Sequence, residues 1–154
     1  MRNIWLFSIL FFLLPVYTAS AAELPTWYKK AISQDDPNKL VYFATIRMGC
    51  GSIGPQLNEI IEGVLVRSRV KPVKNYNPSL YLHVLVECYS LSEDGPFVFV
   101  VRANFARYNP KPSVLFDLGY GDAGWVKERS SIIGKAKKVV EEAMADYMTA
   151  NFNL

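Results

Sequence analysis

Few side chains in this sequence stand in a pattern that suggests catalysis or ligation. Gly119-Tyr120-Gly121-Asp122-Ala123-Gly124 spells G-x-G-x-x-G after a strand-like segment. In a dinucleotide site such glycines let a helix N-terminus approach a pyrophosphate. Here the next helical stripe begins near Ser130, too late for its N–H groups to reach that point, and no second strand with a ribose-binding acid follows it. The glycines are read as a turn. His83 is the only histidine, and with no Cys or His at ligand spacing it cannot build a tetrahedral zinc site. A Ser-His-acid triad would depend on the same residue, and no G-x-S-x-G elbow accompanies it. Ser68-Arg69-Val70-Lys71 matches S-x-x-K, without the other motifs of penicillin-binding enzymes. The acid pairs Asp35-Asp36, Glu93-Asp94 and Glu141-Glu142 fall in a loop, a turn tip and the wet face of a helix, where solvated charge is the ordinary role, although two facing carboxylates could hydrolyse a glycoside. Asn77-Pro78-Ser79 is no glycosylation acceptor, because proline fills its middle. No catalytic residue, cofactor or metal site is expected.

Two cysteines, Cys50 and Cys88, carry a different chemistry. There is no Cys-x-x-Cys motif to tune a thiolate. In an oxidising compartment a lone pair of this kind forms a disulfide, here closing a loop long enough to contribute roughly 4 kcal/mol on the chain-entropy model. The aromatics are the remaining signal. Trp125 and Tyr120 lie in the glycine segment, and Tyr76, Tyr81, Tyr89 and Tyr108 fall near strand ends. Either Trp125 plugs the end of a sheet beneath the last helix, or Tyr120, Trp125, Tyr76 and Tyr108 contribute to a ligand or partner surface of the kind exposed aromatics make. Arg102, Asn104 and Tyr108 on one strand face are too sparsely charged for a nucleic-acid platform.

The compartment follows from the first 22 residues. Arg2 gives a positive start, Ile4 to Val16 is an uncharged apolar run, and Thr18-Ala19-Ser20-Ala21-Ala22 supplies small residues for cleavage. This is the pattern of a secretory signal peptide, and the run falls short of the roughly 20 residues a spanning helix needs. No cysteine stands at the cut, so no lipid anchor is expected, and the mature chain is expected to be periplasmic or secreted with no stable membrane attachment. The formal charge is only +3, with Arg2 in the leader, too weak a field to steer nucleic acid. Hydrophobic residues at 51% and charged residues at 20% exclude a disordered or collagen-like chain.

Periodicity along the chain outlines the helices and strands. Residues 23–39 form an N-terminal extension with a helical turn near Trp27 to Ser33. Leu40 to Arg47 is rich in β-formers. After the Met48-to-Ser52 break, Ser52 is placed to cap a helix whose Leu57, Ile60, Ile61, Val64 and Leu65 form one stripe. Val66 to Lys74 holds a short edge strand, since Pro72 and nearby basic residues suit an edge. Leu80 to Ser90 alternates, with Leu82, Val84, Val86 and Cys88 on one face, and Phe97 to Tyr108 alternates likewise, giving an antiparallel hairpin. Ser113 to Leu118 is a further strand, Gly119 to Arg129 is irregular, and Ser130 to about Ala150 is a long amphipathic helix. The expected architecture is a single α+β domain over 40–154, ordered β-α-β-β-β-α, with two helices on one face of a mainly antiparallel sheet. If the first helix is a crossover, the first strand and Leu80–Ser90 run parallel, and Cys50 and Cys88 meet at the same end of the sheet.

The hairpin LYLHVLVECYS with FVFVVRANFARYN, the segment LFDLGYGDAGW and the closing ADYMTANF resemble a group of small exported bacterial proteins of unknown activity, over roughly Val41 to Phe152. The layout is similar, more distantly, to the N-terminal α/β module of the Tol-system translocation protein and to related outer-membrane activators. That resemblance implies a module that binds partners and has no catalytic residues to transfer. The expected function is therefore an exported, non-catalytic envelope protein that binds another envelope protein or a glycan. The alternatives are a secreted inhibitor, immunity or host-directed factor, and a hydrolase whose motif is not apparent. Intact-mass measurement of the exported, non-reduced protein is expected to give a chain beginning at Glu23 with both thiols oxidised; Met1 retained on a protein with two free thiols overturns the export reading.

Overall fold

A computed structural model describes residues 23–47, 49–74, 80–91, 96–107 and 114–152 of the 154-residue chain. The leader, Tyr76, Tyr108, the Glu93-Asp94 pair and the Asn77-Pro78-Ser79 loop lie outside the described residues. The elements run α1 (Thr26–Ile32), β1 (Lys39–Ile46), α2 (Gly54–Arg67), β2 (Lys71–Val73), β3 (Leu80–Ser90), β4 (Phe97–Arg107), β5 (Val114–Val126) and α3 (Ser130–Phe152). The five strands form one sheet in the order β2-β1-β3-β4-β5. β1 is parallel to both β2 and β3, whereas β3, β4 and β5 are antiparallel in succession. The expected α+β class holds, with three helices on the covered face where two were expected.

The alternation of β3 and β4 fixes which face is covered. Leu82, Val84, Val86 and Cys88 of β3, and Phe99, Val101, Ala103 and Phe105 of β4, are buried to within 1% of their surface. Against them pack Leu57, Ile61, Val64 and Leu65 of α2 and Ile132, Ala136, Val139, Val140, Ala143 and Tyr147 of α3, all in one core. Each fully buried Leu, Ile, Val or Phe contributes about 1.5–3 kcal/mol, so this layer dominates the stability. α1, within residues 23–39, adds Tyr28 and Ile32 to the same core. It is tied down by polar contacts: Arg107 donates to the carbonyls of Ala31 and Ser33, and Asn151 of α3 donates to the carbonyl of Ile32. Tyr147 donates to the carbonyl of Pro37 at 2.8 Å, and burial pushes its phenol up to about 12.

Two local readings are corrected, and the S-x-x-K match finds a structural role. Ser52 does not cap α2: Ile53 takes the N-cap place with no side-chain hydrogen bond, and Pro55 in the first turn needs no N–H partner. The S-x-x-K sequence is the C-terminal stop of α2. Arg69 adopts φ +58°, its N–H donates to Val66 and that of Val70 to Leu65, a Schellman cap with Val70 buried. The largest correction concerns β5, which does not end at Leu118 but runs on to Val126. Its glycines allow that continuation. Gly119 takes φ +79° where β5 advances four residues, from Phe116 to Tyr120, against two on β4, from Phe105 to Ala103. A Cβ at Gly121 would lie 3.0 Å from the Val101 carbonyl oxygen, so its absence lets the backbones approach. The short edge strand expected within Val66–Lys74 is β2, which sits at the sheet edge opposite β5.

Cys50 and Cys88 are joined, with Cα atoms 4.9 Å apart and both side chains buried. The cause is the parallel pairing of β1 with β3, which brings the end of β1 beside the end of β3; the Arg47 N–H extends the ladder to the Val86 carbonyl. Gly49 makes the turn at φ +101°, and a Cβ there would overlap the Cys88 carbonyl oxygen. Replacing both cysteines by alanine is expected to lower the unfolding free energy by about 2–5 kcal/mol, read from urea unfolding; an unchanged midpoint would show that the bridge adds nothing to the parallel pairing.

Candidate functional site

Because side chains alternate along a strand, the residues that do not face the helices form a second surface, and among the described residues no helix covers it. β1 contributes Val41, Phe43 and Thr45, and β3 contributes Tyr81, His83, Leu85, Glu87 and Tyr89. Register carries the rows across β4 and β5: Leu85 to Arg102 to Gly121, Glu87 to Val100 to Ala123, and Tyr89 to Val98 to Trp125. At the β1 side the surface is self-satisfied. Phe43 and Tyr81 meet edge to face with ring centroids 5.1 Å apart, Thr45 Oγ1 lies 2.9 Å from His83 Nε2, and Arg47 pairs with Glu87 at 2.6 Å. At the β5 side it is open: Trp125 is 72% exposed and Tyr89 57%.

The aromatics named from the sequence therefore separate. Tyr120 and Trp125 are five residues apart on one strand, an odd interval, so they point to opposite faces. Tyr120 faces the helices, where its hydroxyl donates to Asp146 of α3 and its ring lies 6.4 Å from that of Tyr28. Burial, then the hydrogen bond to Asp146, pushes its phenol far above the ordinary range. Trp125 does not plug the sheet beneath α3. It stands on the uncovered face, in line with Tyr89.

The remaining candidates resolve into ordinary contacts. Asp36 pairs with Lys39 at 2.7 Å, Glu141 with Arg67 and Lys137, and Glu142 with Lys138. Among the described residues no three His, Cys, Asp or Glu side chains lie close enough to hold a metal ion. The G-x-G-x-x-G residues are built into β5 rather than a helix-leading loop. One polar cluster was not visible in the sequence: Tyr42 donates to Glu62 at 2.6 Å, and Lys74 pairs with the same carboxylate at 2.9 Å. The Tyr42 hydroxyl and Lys74 hold the Glu62 carboxyl below its usual range, and burial pushes the Tyr42 phenol up. This cluster joins β1 to α2 and β2. A groove of about 530 Å³ between α2 and α3 has Ile60 and Ile133 in its lining, with Glu59, Arg67 and Lys137 beside them. No helix among the described residues is long and apolar enough to cross a membrane.

No protein-family model matches the chain, and no curated protein matches it. Among solved structures it is similar to the PelC dodecamer from Paraburkholderia phytofirmans, at 15% identity over 71% of this chain and 84% of that one, with a TM-score of 0.44. It is also similar to the rare lipoprotein B from Shewanella oneidensis, at 12% identity over 71% and 92% of the two chains, TM-score 0.33. A minor lipoprotein from Acinetobacter baumannii gives 12% identity, 73% and 92% coverage and a TM-score of 0.37. None of the three is a Tol-system protein.

His83 is half-buried on the open face, and loss of solvation holds its pKa below the ordinary 6.5. The unfolded chain then binds a proton more readily than the folded one, so this residue costs stability as the pH falls through that value. His83→Gln is expected to flatten the decline in urea midpoint between about pH 7 and pH 5; an equally steep decline in the variant places the acid sensitivity elsewhere.

Proposed function

We propose that this protein is an exported, non-catalytic binding protein of the bacterial envelope, and that the uncovered face of its sheet is the surface it presents to an envelope protein or a glycan. The observation that carries this reading is the exposure of Trp125 and Tyr89 in one row on a face that no helix covers among the described residues. Large exposed aromatics are what a protein keeps at a recognition surface, since they supply contact area at low entropic cost. The strands beneath hold them in place without reorganisation, which reduces the ordering cost of association. The disulfide and the leader support an oxidising destination. The His83, Asp36, Glu141 and Glu142 side chains are engaged in pairs that explain their presence without catalysis.

The test is site-specific photo-crosslinking in intact cells. A photo-reactive residue at position 125 is expected to give a discrete adduct, whereas one at Lys138 on the exposed side of α3 gives none. Equal adducts at both positions, or adducts from position 138 alone, would assign binding to the helical side and overturn the reading.

A further inference from the structure

The β5 side of the open face has a geometry that narrows the ligand. Tyr89, Val98 and Trp125 stand directly across from one another on β3, β4 and β5. The two exposed rings are thus two strand spacings apart, about 10 Å, with only the short Val98 side chain between them. That is a shallow ledge with an aromatic at each end rather than a pocket, whereas protein anchors are characteristically taken up in well-packed pockets. The span is close to one disaccharide of an extended glycan, whose C–H faces are apolar and complement the negative face of an aromatic ring.

Charge adds a second element. Arg102 lies two rows along the same face, exposed, beside Gly121, which has no side chain to screen it. Arg102 has no ion pair among the described residues, and the acid of the intervening row, Glu87, is already held by Arg47 at 2.6 Å. Among the described residues the ledge is therefore flanked, about 14 Å along β4, by an exposed guanidinium with no ion pair, a group whose planar fork matches a carboxylate. We infer that this ledge binds an extended acidic polysaccharide, two sugars apart on Tyr89 and Trp125, with a carboxylate on Arg102. The inference rests on the open face being the binding surface, and it names the ligand class of that surface.

The experiment is affinity electrophoresis of the mature, disulfide-bonded protein through gels holding polygalacturonate, neutral dextran or no polymer. Polygalacturonate is expected to retard the protein and dextran is not. Trp125→Ala and Tyr89→Ala are each expected to weaken the retardation about tenfold, the loss typical of an anchoring aromatic. Trp125→Phe, which keeps a ring, retains most of it, and Arg102→Gln removes its salt sensitivity. Absence of retardation, equal retardation by dextran, or full retardation of Trp125→Ala overturns the inference. A discrete protein adduct from position 125 combined with no retardation removes the polysaccharide and leaves the binding face standing; loss of both removes the face as well.

Discussion

Burial of a single face of β3 and β4 against α2 and α3 is the contact on which the other elements depend. Each of these strands places every second residue in the core, and the packed residues are nearly all fully buried. A one-residue slip in either strand would exchange that set for His83, Glu87, Arg102 and Asn104. The register of the whole sheet is pinned by that penalty. β1 takes the free edge of β3, and its parallel alignment follows from the α2 crossover that returns the chain to the same side.

From that alignment the cross-link and the polar ties follow. The parallel pair leaves the end of β1 beside the end of β3, where Cys50 and Cys88 join, with Gly49 accommodating the close carbonyl. At the opposite end, Arg107, Asn151 and Tyr147 satisfy carbonyls of the α1 segment that burial would otherwise leave unpaired. Tyr120 and Asp146 join β5 to α3 beneath α1. Covalent and polar contacts thus secure the two ends of a layer whose centre is held by apolar packing.

One-sided coverage also leaves a surface of the sheet open among the described residues. With every described helix on one side, the other side of the sheet presents whatever its alternate positions hold. Toward β1 those positions pair among themselves, through Phe43 with Tyr81, Thr45 with His83 and Arg47 with Glu87. Toward β5, Tyr89 and Trp125 stand exposed in one row, with Arg102 two rows along. The strand ladder sets the separation of these side chains.

Much of this was legible in the residues themselves. Strict alternation in Leu80–Ser90 and Phe97–Arg107, the apolar stripes of α2 and α3, Pro72 on an edge strand, and one cysteine just past a strand with the other near a strand's end are local signals, because each belongs to its own segment. The extension of β5 through Gly119 to Val126 was not legible: those residues have no β-former periodicity, and they are extended because β4 offers them a ladder, with glycines where the backbones crowd. The placement of Trp125 went with it, since a residue in an irregular loop has no assigned face, whereas in a continuous strand an odd interval puts it opposite Tyr120. The sequence alone determined which segments alternate and which face of each is apolar, as these depend on residues near in the chain; only tertiary pairing decided which aromatics share the uncovered face, because that depends on the register between strands distant in the chain.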